Sequence, residues 1–251
     1  MPPPPPIKGL VALLLSWLWI PLSHADELTI AVASNFTRAA KQLVAEFEQY
    51  SEHRVQLAFG STGAHYAQII HGAPFDAFFA ADARTPMRLE EDGRIQGGSR
   101  FTYARGQLIL WSPKAGVVDA KGKVLQRGDF AHLAMANPRL APYGLAAQQT
   151  LEALGVADKL QEKLVRGENI SQTHQFVYSG AAELGFVALA QIIDPEKPEQ
   201  ISGSYWRVPA DLYESIEQQA VLLSDKKAAR EFVDFVRSEK GKAIIRAYGY
   251  E

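Results

Sequence analysis

The chain has 251 residues, of which 47% are hydrophobic, and a net charge of −2. This length and apolar content exclude a disordered or collagen-like chain and allow one large domain or two small ones. The 26 basic residues are offset by 28 acidic ones, which argues against general nucleic-acid binding, and the absence of cysteine excludes disulfides, thiolate metal sites and cysteine nucleophiles.

Residues 1–25 have the composition of a secretory signal. Five prolines and Lys8 precede an apolar run at residues 9–20, and Ser23 and Ala25 place small residues where a signal peptidase cleaves. The run is shorter than the roughly 20 residues that a membrane span needs. We expect export to an oxidising compartment such as the bacterial periplasm and a mature chain that begins near Asp26. An uncleaved anchor or a buried segment is the alternative.

The first part of the mature chain alternates short apolar runs with helical patterns. Apolar residues between Phe36 and Tyr50 recur at helical spacing, which predicts an amphipathic helix. Strands that alternate with helices at this pitch are typical of βαβ units and a mostly parallel sheet. The predicted elements are strands at 28–33, 54–59 and 75–80 and helices at 36–50, 64–71 and 86–91.

A long extended run at residues 101–111 begins a second series. The predicted elements there are strands at 133–137, 184–189 and 216–223, helices at 146–154 and 171–178, a loop at 194–203 and an amphipathic tail at 226–246. We therefore predict an α/β protein with two lobes, the second inserted into the first, and chain crossings near 103–107 and 204–208. The predicted first lobe comprises residues 26–104 and 207–251, and the second comprises residues 105–206.

Catalytic and metal-binding motifs are absent from the sequence. No GxGxxG, GxxxxGK[ST], GxSxG or HExxH pattern occurs. The histidines are scattered, and the neighbours His65 and His71 are six residues apart, which places them on different helix faces. We therefore expect neither a metal site nor an enzyme.

Four predicted helix starts carry small polar residues. They are ASNF at 33–36, GSTG at 60–63, APYG at 141–144 and NISQ at 169–172. Taken singly, Ser34, Ser61 and Asn169 are most simply helix caps, because serine and asparagine are preferred there. Taken together, they favour a ligand site, since ligands of open α/β sheets bind where the strands end and the helices begin.

Such a cleft would present unpaired backbone N–H groups and the positive ends of four helix dipoles to a ligand. Arginine and lysine are absent from the four tetrapeptides, although Arg38 is close. Neutral donors can still hold an oxyanion through charge-assisted hydrogen bonds. The pattern predicts a site for a small dianion.

The mature sequence resembles the periplasmic molybdate-binding proteins of ABC transporters over essentially its whole length. The segments that carry the resemblance are LTIAVASNFTRAAKQLVAEFE, LAFGSTGAHYAQIIHGAPFDAFFAAD, LAMANPRLAPYGLAAQQTLEALG, GENISQTHQFVYSGAAELGFVAL and FVDFVRSEKGKAIIRAYGY. The resemblance implies a two-lobe periplasmic binding protein fold of type II, with two chain crossings and the ligand between the lobes.

The resemblance also implies a set of residues that bind the oxyanion. They are Ser34 and Asn35 at the first helix start, Ser61 through its hydroxyl and backbone, and Tyr143 and Ile170 through their backbone N–H groups. Some family members add a tyrosine at the position that Ala188 occupies here. This departure fits the branch that uses donors such as Asn35 and leaves a fifth side-chain donor, and the preference between molybdate and tungstate, open.

The implied function is capture of molybdate, and of tungstate, for delivery to an ABC permease by a monomeric protein without a cofactor. Sulfate or another small anion is the alternative ligand. An enzyme acting on a small anion is disfavoured by the missing nucleophile and metal ligands. A sensor related to transcription regulators is disfavoured by the leader and by the absence of a DNA-binding segment.

Overall fold

The computed structural model describes residues 1–2 and 25–251. The predicted leader therefore falls outside the described residues except at its ends. Within the described ranges, no helix is both long and apolar enough to cross a membrane.

Two five-stranded sheets organise the described part of the chain. The strands are β1 (Glu27–Ala33), β2 (Arg54–Gly60), β3 (Ala77–Phe79), β4 (Phe101–Gly106), β5 (Leu108–Ser112), β6 (Leu133–Ala136), β7 (Leu164–Gly167), β8 (Leu184–Ala188), β9 (Ser204–Arg207) and β10 (Ile216–Leu222). Their order is β2-β1-β3-β10-β4 in the first sheet and β7-β6-β8-β5-β9 in the second.

Helices connect the strands and cover both sheets. They are α1 (Thr37–Phe47), α2 (Thr62–Ile70), α3 (Arg84–Glu91), α4 (Val124–Arg127), α5 (Pro142–Ala153), α6 (Ala157–Leu160), α7 (Ile170–Tyr178), α8 (Leu189–Ile192), α9 (Lys227–Arg237) and α10 (Glu239–Ala247). Short 3₁₀ turns at Ser34–Phe36 and Gln161–Lys163 precede α1 and follow α6.

The predicted α/β class with two lobes is confirmed, but the sheets are mixed rather than mostly parallel. β1 is parallel to β2 and β3, whereas β10 is antiparallel to β3 and β4. In the second sheet, β5 is likewise antiparallel to β8 and β9. Both antiparallel strands enter their sheet directly from the other sheet, so no βαβ crossover imposes a parallel direction on them.

The prediction of one long extended element at 101–111 is wrong. This run contains β4 and β5, which belong to different sheets and are separated by Gln107. The chain returns to the first sheet between β9 and β10. These changes of sheet support the division into two lobes, whose limits at 104/105 and 206/207 stay a prediction.

Several element ends also differ from the predicted ones. Helix α5 begins at Pro142 rather than at residue 146. Proline suits the first helical position because its φ is already helical and because an N–H at that position would have no acceptor in the helix. Helix α3 begins at Arg84 rather than at 86, and β3 covers only 77–79 of the predicted 75–80.

Apolar side chains hold helices against each sheet. In the first sheet, Phe36, Phe79 and Phe232 form part of a buried cluster that joins β1 and β3 to α1 and α9. In the second, Met135, Tyr143 and Phe186 belong to a cluster that joins β6 and β8 to α5. Burial at about 25 cal/mol per Å² of apolar surface makes these contacts the main source of stability.

Candidate functional site

The four predicted helix starts converge on one cavity between the lobes. Each follows the carboxyl end of a strand, and β1 and β2 in the first sheet, like β6 and β7 in the second, run parallel. The cavity is small, with a volume of about 10 Å³. All five predicted site residues line it, and all are buried: Ser34, Asn35, Ser61, Tyr143 and Ile170.

Capping explains two of the four starts. The Ser61 hydroxyl oxygen accepts a 3.3 Å hydrogen bond from Ala64 N, and Asn169 Oδ1 accepts from the N–H groups of Ser171 and Gln172 at 3.0 Å. Ser34 does not cap its helix, since it is itself the first residue of the 3₁₀ turn. A serine hydroxyl that accepts a capping bond keeps its own proton, so Ser61 can donate to a ligand at the same time.

The second lobe contributes backbone donors. Tyr143 and Ile170 lie in the first turns of α5 and α7, where N–H groups have no acceptor within the helix. The Ile170 side chain cannot form hydrogen bonds, so its N–H is the only donor that this residue could offer a ligand. Both groups lie at the positive end of a helix dipole, which favours an anion.

Ser34 joins the two lobes beside the cavity. Its hydroxyl donates to Asn169 Oδ1 at 3.3 Å and accepts from Ser171 N at 3.4 Å, and Ser171 Oγ donates to the Ser34 carbonyl oxygen at 3.1 Å. Gly63 makes a second bridge, because its N–H donates to Leu140 O at 2.9 Å. The described conformation is therefore closed over the cavity.

The Asn35 side chain takes part in a buried network rather than pointing a free amide into the cavity. Its Nδ2 donates to Gln218 Oε1 at 2.8 Å and to Tyr250 OH at 3.0 Å, and Tyr250 OH donates back to the Asn35 carbonyl oxygen at 2.9 Å. Both amide protons are thus engaged, which leaves the backbone N–H as the group with which Asn35 can serve a ligand.

Two further tyrosines complete this network. Tyr103 OH lies 3.0 Å from Gln218 Oε1, and Gln218 Nε2 donates to Tyr143 OH at 3.3 Å. Burial raises the pKa of Tyr103, Tyr143 and Tyr250 well above the usual value, so all three hydroxyls are neutral at physiological pH. Sequence reasoning missed Gln218, Tyr103 and Tyr250, because nothing in their local pattern marks a site.

The glycine of APYG is required by a close approach. A Cβ on Gly144 would overlap the carbonyl oxygen of Ala136, at the end of β6. The absence of a side chain therefore lets the first turn of α5 sit directly against the end of that strand, where Tyr143 lines the cavity.

The described residues that line the cavity carry no charged side chain. The nearby Arg38 is engaged elsewhere, since its guanidinium donates to the carbonyl oxygens of Ala190 and Ile193. An adjoining cavity of about 210 Å³ is lined by three arginines and one carboxylate and shares three residues with the first: the charged residues are Arg84, Arg88, Arg139 and Asp82, and the shared ones are Thr62, Ala141 and Pro142. Positive charge thus lies beside the candidate site rather than in it.

Ala188 lies at the end of β8, fully buried and outside the residues that line the cavity. Its N–H donates to Gln191 Oε1 at 2.9 Å, and Gln191 Nε2 donates to Ile170 O at 3.1 Å. Gln191 therefore links Ala188, at the end of β8, to Ile170, the first residue of α7. In residues 1–2 and 25–251, no group of three or more histidine or carboxylate side chains could hold a metal ion.

Residues 28–251 match the family model of bacterial extracellular solute-binding proteins. The chain belongs to this family, a class of binding proteins rather than enzymes, with the two-lobe type II fold of periplasmic binding proteins.

The chain is similar to two molybdate-binding proteins named ModA. It is 48% identical to that of Azotobacter vinelandii over 97% of both chains, and 46% identical to that of Rhodobacter capsulatus over 90% of this chain and 88% of the relative. The solved structure of the Azotobacter vinelandii periplasmic molybdate-binding protein superposes with a TM-score of 0.86 at 46% identity, covering 89% of this chain and 98% of that one. A ligand in such proteins is cargo and not a cofactor.

Proposed function

We propose that this protein captures molybdate, and tungstate, outside the cytoplasmic membrane and delivers it to an ABC permease. The observation that carries the proposal is the convergence of four helix starts from two lobes on one buried cavity without charged side chains. The relatives named as molybdate-binding proteins support the same ligand. A leader at residues 1–25 and a periplasmic location follow from the same proposal.

In the proposed complex, the oxyanion accepts hydrogen bonds from both lobes. The first lobe supplies the Ser61 hydroxyl, the Ser34 hydroxyl once it turns from Asn169 Oδ1 to the ligand, and the backbone N–H groups of Asn35 and Ser61. The second supplies the N–H groups of Tyr143 and Ile170. Bonds from neutral donors to an anion are about twice as strong as those between neutral groups, and the helix dipoles add to them. The dianion is then held without a salt bridge.

A fully deprotonated tetrahedral oxyanion suits this cavity, because every group assigned to it is a donor. A protonated anion would need an acceptor for its own proton. Molybdate and tungstate have nearly the same size, whereas sulfate is smaller and would leave donors without a partner. An unpaired buried donor costs about 1–3 kcal/mol, which favours the larger anions.

The experiment is calorimetry and thermal unfolding of the purified protein with molybdate, tungstate, sulfate and phosphate. A ligand that binds only the folded state adds about 4 kcal/mol at 1,000 times its Kd. For a chain of this size, about 2–4 °C per kcal/mol gives a rise of roughly 8–16 °C in Tm. Molybdate and tungstate should produce this rise, and equal sulfate should not. No rise with either larger anion would refute the proposal.

A further inference from the structure

Tyr143 connects the lobes through its side chain as well as facing the candidate site with its backbone. It lies in α5, which packs on the second sheet, but its hydroxyl accepts the 3.3 Å bond from Gln218 Nε2 in β10 of the first sheet. Both side chains are buried, with exposed fractions of 1% and 0%. The bond therefore crosses between the lobes in the interior rather than on the surface.

The first lobe holds Gln218 in place for this bond. Its Oε1 accepts from Asn35 Nδ2 at 2.8 Å and lies 3.0 Å from Tyr103 OH, so the amide is fixed with Nε2 directed at Tyr143. The pairing of β10 with β4 shifts register between Gln218 and Gln219, which makes Tyr103 the extra residue of a bulge. Bulges redirect side chains, and here Tyr103 reaches Gln218 at that point.

Gly106 leaves the space that the Tyr143 hydroxyl occupies. A Cβ at this last residue of β4 would overlap the hydroxyl oxygen and come within 2.6 Å of Gln218 Nε2. Gly106 also directly precedes the first chain crossing, which joins β4 to β5. The hydroxyl is thus seated next to the segment about which the lobes would move when a two-lobe binding protein opens.

We propose that the bond between Tyr143 OH and Gln218 Nε2 is a latch that stabilises the closed conformation, and that both are positioning residues for oxyanion binding. The proposal rests on the proposed function. Opening would separate the hydroxyl from Gln218, while closure restores the bond and brings the Tyr143 N–H to the ligand. The same residue thus couples closure of the lobes to completion of the donor set.

Tyr143→Phe tests the latch, because it removes the hydroxyl and keeps the backbone N–H. Loss of one hydrogen bond predicts about 2- to 12-fold weaker molybdate binding. The change should appear as faster molybdate dissociation with an unchanged association rate, since the latch forms after encounter. Stopped-flow fluorescence gives both rates and calorimetry gives Kd.

Tyr50→Phe is the control. Its hydroxyl accepts a bond of similar length, 3.2 Å, from Lys240 Nζ, and both residues lie in the first lobe away from the cavity and the chain crossings. We expect its dissociation rate to stay within about twofold of the wild-type rate. Equal acceleration in both variants would overturn the latch.

A double-mutant cycle separates the latch from a general packing effect. In a Gln218→Met background, Tyr143→Phe should have no further effect on Kd, because the partner of the hydroxyl is already gone. Additive effects would overturn the proposal.

If Tyr143→Phe does not fold, Gly106→Ala supplies the test by filling the space that the Tyr143 hydroxyl occupies. Wild-type affinity in that variant would overturn the proposal. Failure of the wild-type protein to bind molybdate would instead refute the proposed function.

Discussion

Ser61→Ala distinguishes a residue that caps a helix from one that also binds the ligand. The substitution removes the capping bond to Ala64 N, which is long at 3.3 Å, so we expect a stability loss near the lower end of about 0.5–2 kcal/mol. If the hydroxyl donates to the oxyanion, the substitution also removes a hydrogen bond to a charged group, which is worth about 1.5–3 kcal/mol. Loss of this binding free energy corresponds to roughly 10- to 150-fold weaker molybdate binding, which calorimetry measures.

Ser238→Ala is the matched control for this substitution. Ser238 caps α10 by accepting from Gly241 N at 3.2 Å, donates to Phe235 O at 2.6 Å, and does not line the cavity. Ser238→Ala should therefore lose at least as much stability in urea unfolding as Ser61→Ala, but only Ser61→Ala should lose affinity. Wild-type affinity in Ser61→Ala would confine Ser61 to capping and refute the assignment of its hydroxyl to the ligand.

Three further substitutions address the rest of the site, the charge beside it and the pH dependence of stability. Ile170→Ala should change the calorimetric Kd by less than Ser61→Ala, because the backbone N–H survives; a larger loss would mean that the side chain matters more than the donor. Arg139→Gln should slow association measured at low salt and leave dissociation unchanged, because a positive charge beside the cavity attracts the anion; an unchanged salt dependence would argue against steering. Burial lowers the pKa of His65 below its usual 6.5, so the unfolded chain takes up a proton first as pH falls. Stability should therefore decline below about pH 6.5, and His65→Gln should reduce that slope in urea unfolding at pH 5–8; an equal slope would contradict the assignment.

The four helix starts could be predicted because their signals are local, whereas the five candidate residues within them came from the resemblance to molybdate-binding proteins. Ser61 and Asn169 are residues that favour helix starts, and the glycines of GSTG and APYG mark positions where the backbone must approach another segment closely. Turn chemistry of this kind depends on a few consecutive residues and is visible in one sequence. The order of strands and helices then predicts that the four starts share one edge of the sheets.

The supporting network could not be predicted, because its partners are distant in sequence. Asn35 bonds to Gln218 and Tyr250, which are 183 and 215 residues away. Gln218 lies in a strand where its sequence neighbours indicate only β structure. The mixed sheets were missed for the same reason, since the direction of β10 depends on where the chain enters the sheet and not on its residues.

Division of the proposed donors between two lobes has a consequence for affinity. Ser34, Asn35 and Ser61 follow strands of the first sheet, whereas Tyr143 and Ile170 follow strands of the second. An open protein would present only part of the donor set to an anion, and a neutral half-site in contact with water binds weakly because water competes for the same donors. Closure would complete the proposed donor set and exclude water at the same time. Interlobe bonds that do not touch the ligand, such as the proposed latch from Gln218 to Tyr143, would then contribute to its affinity through the population of the closed state.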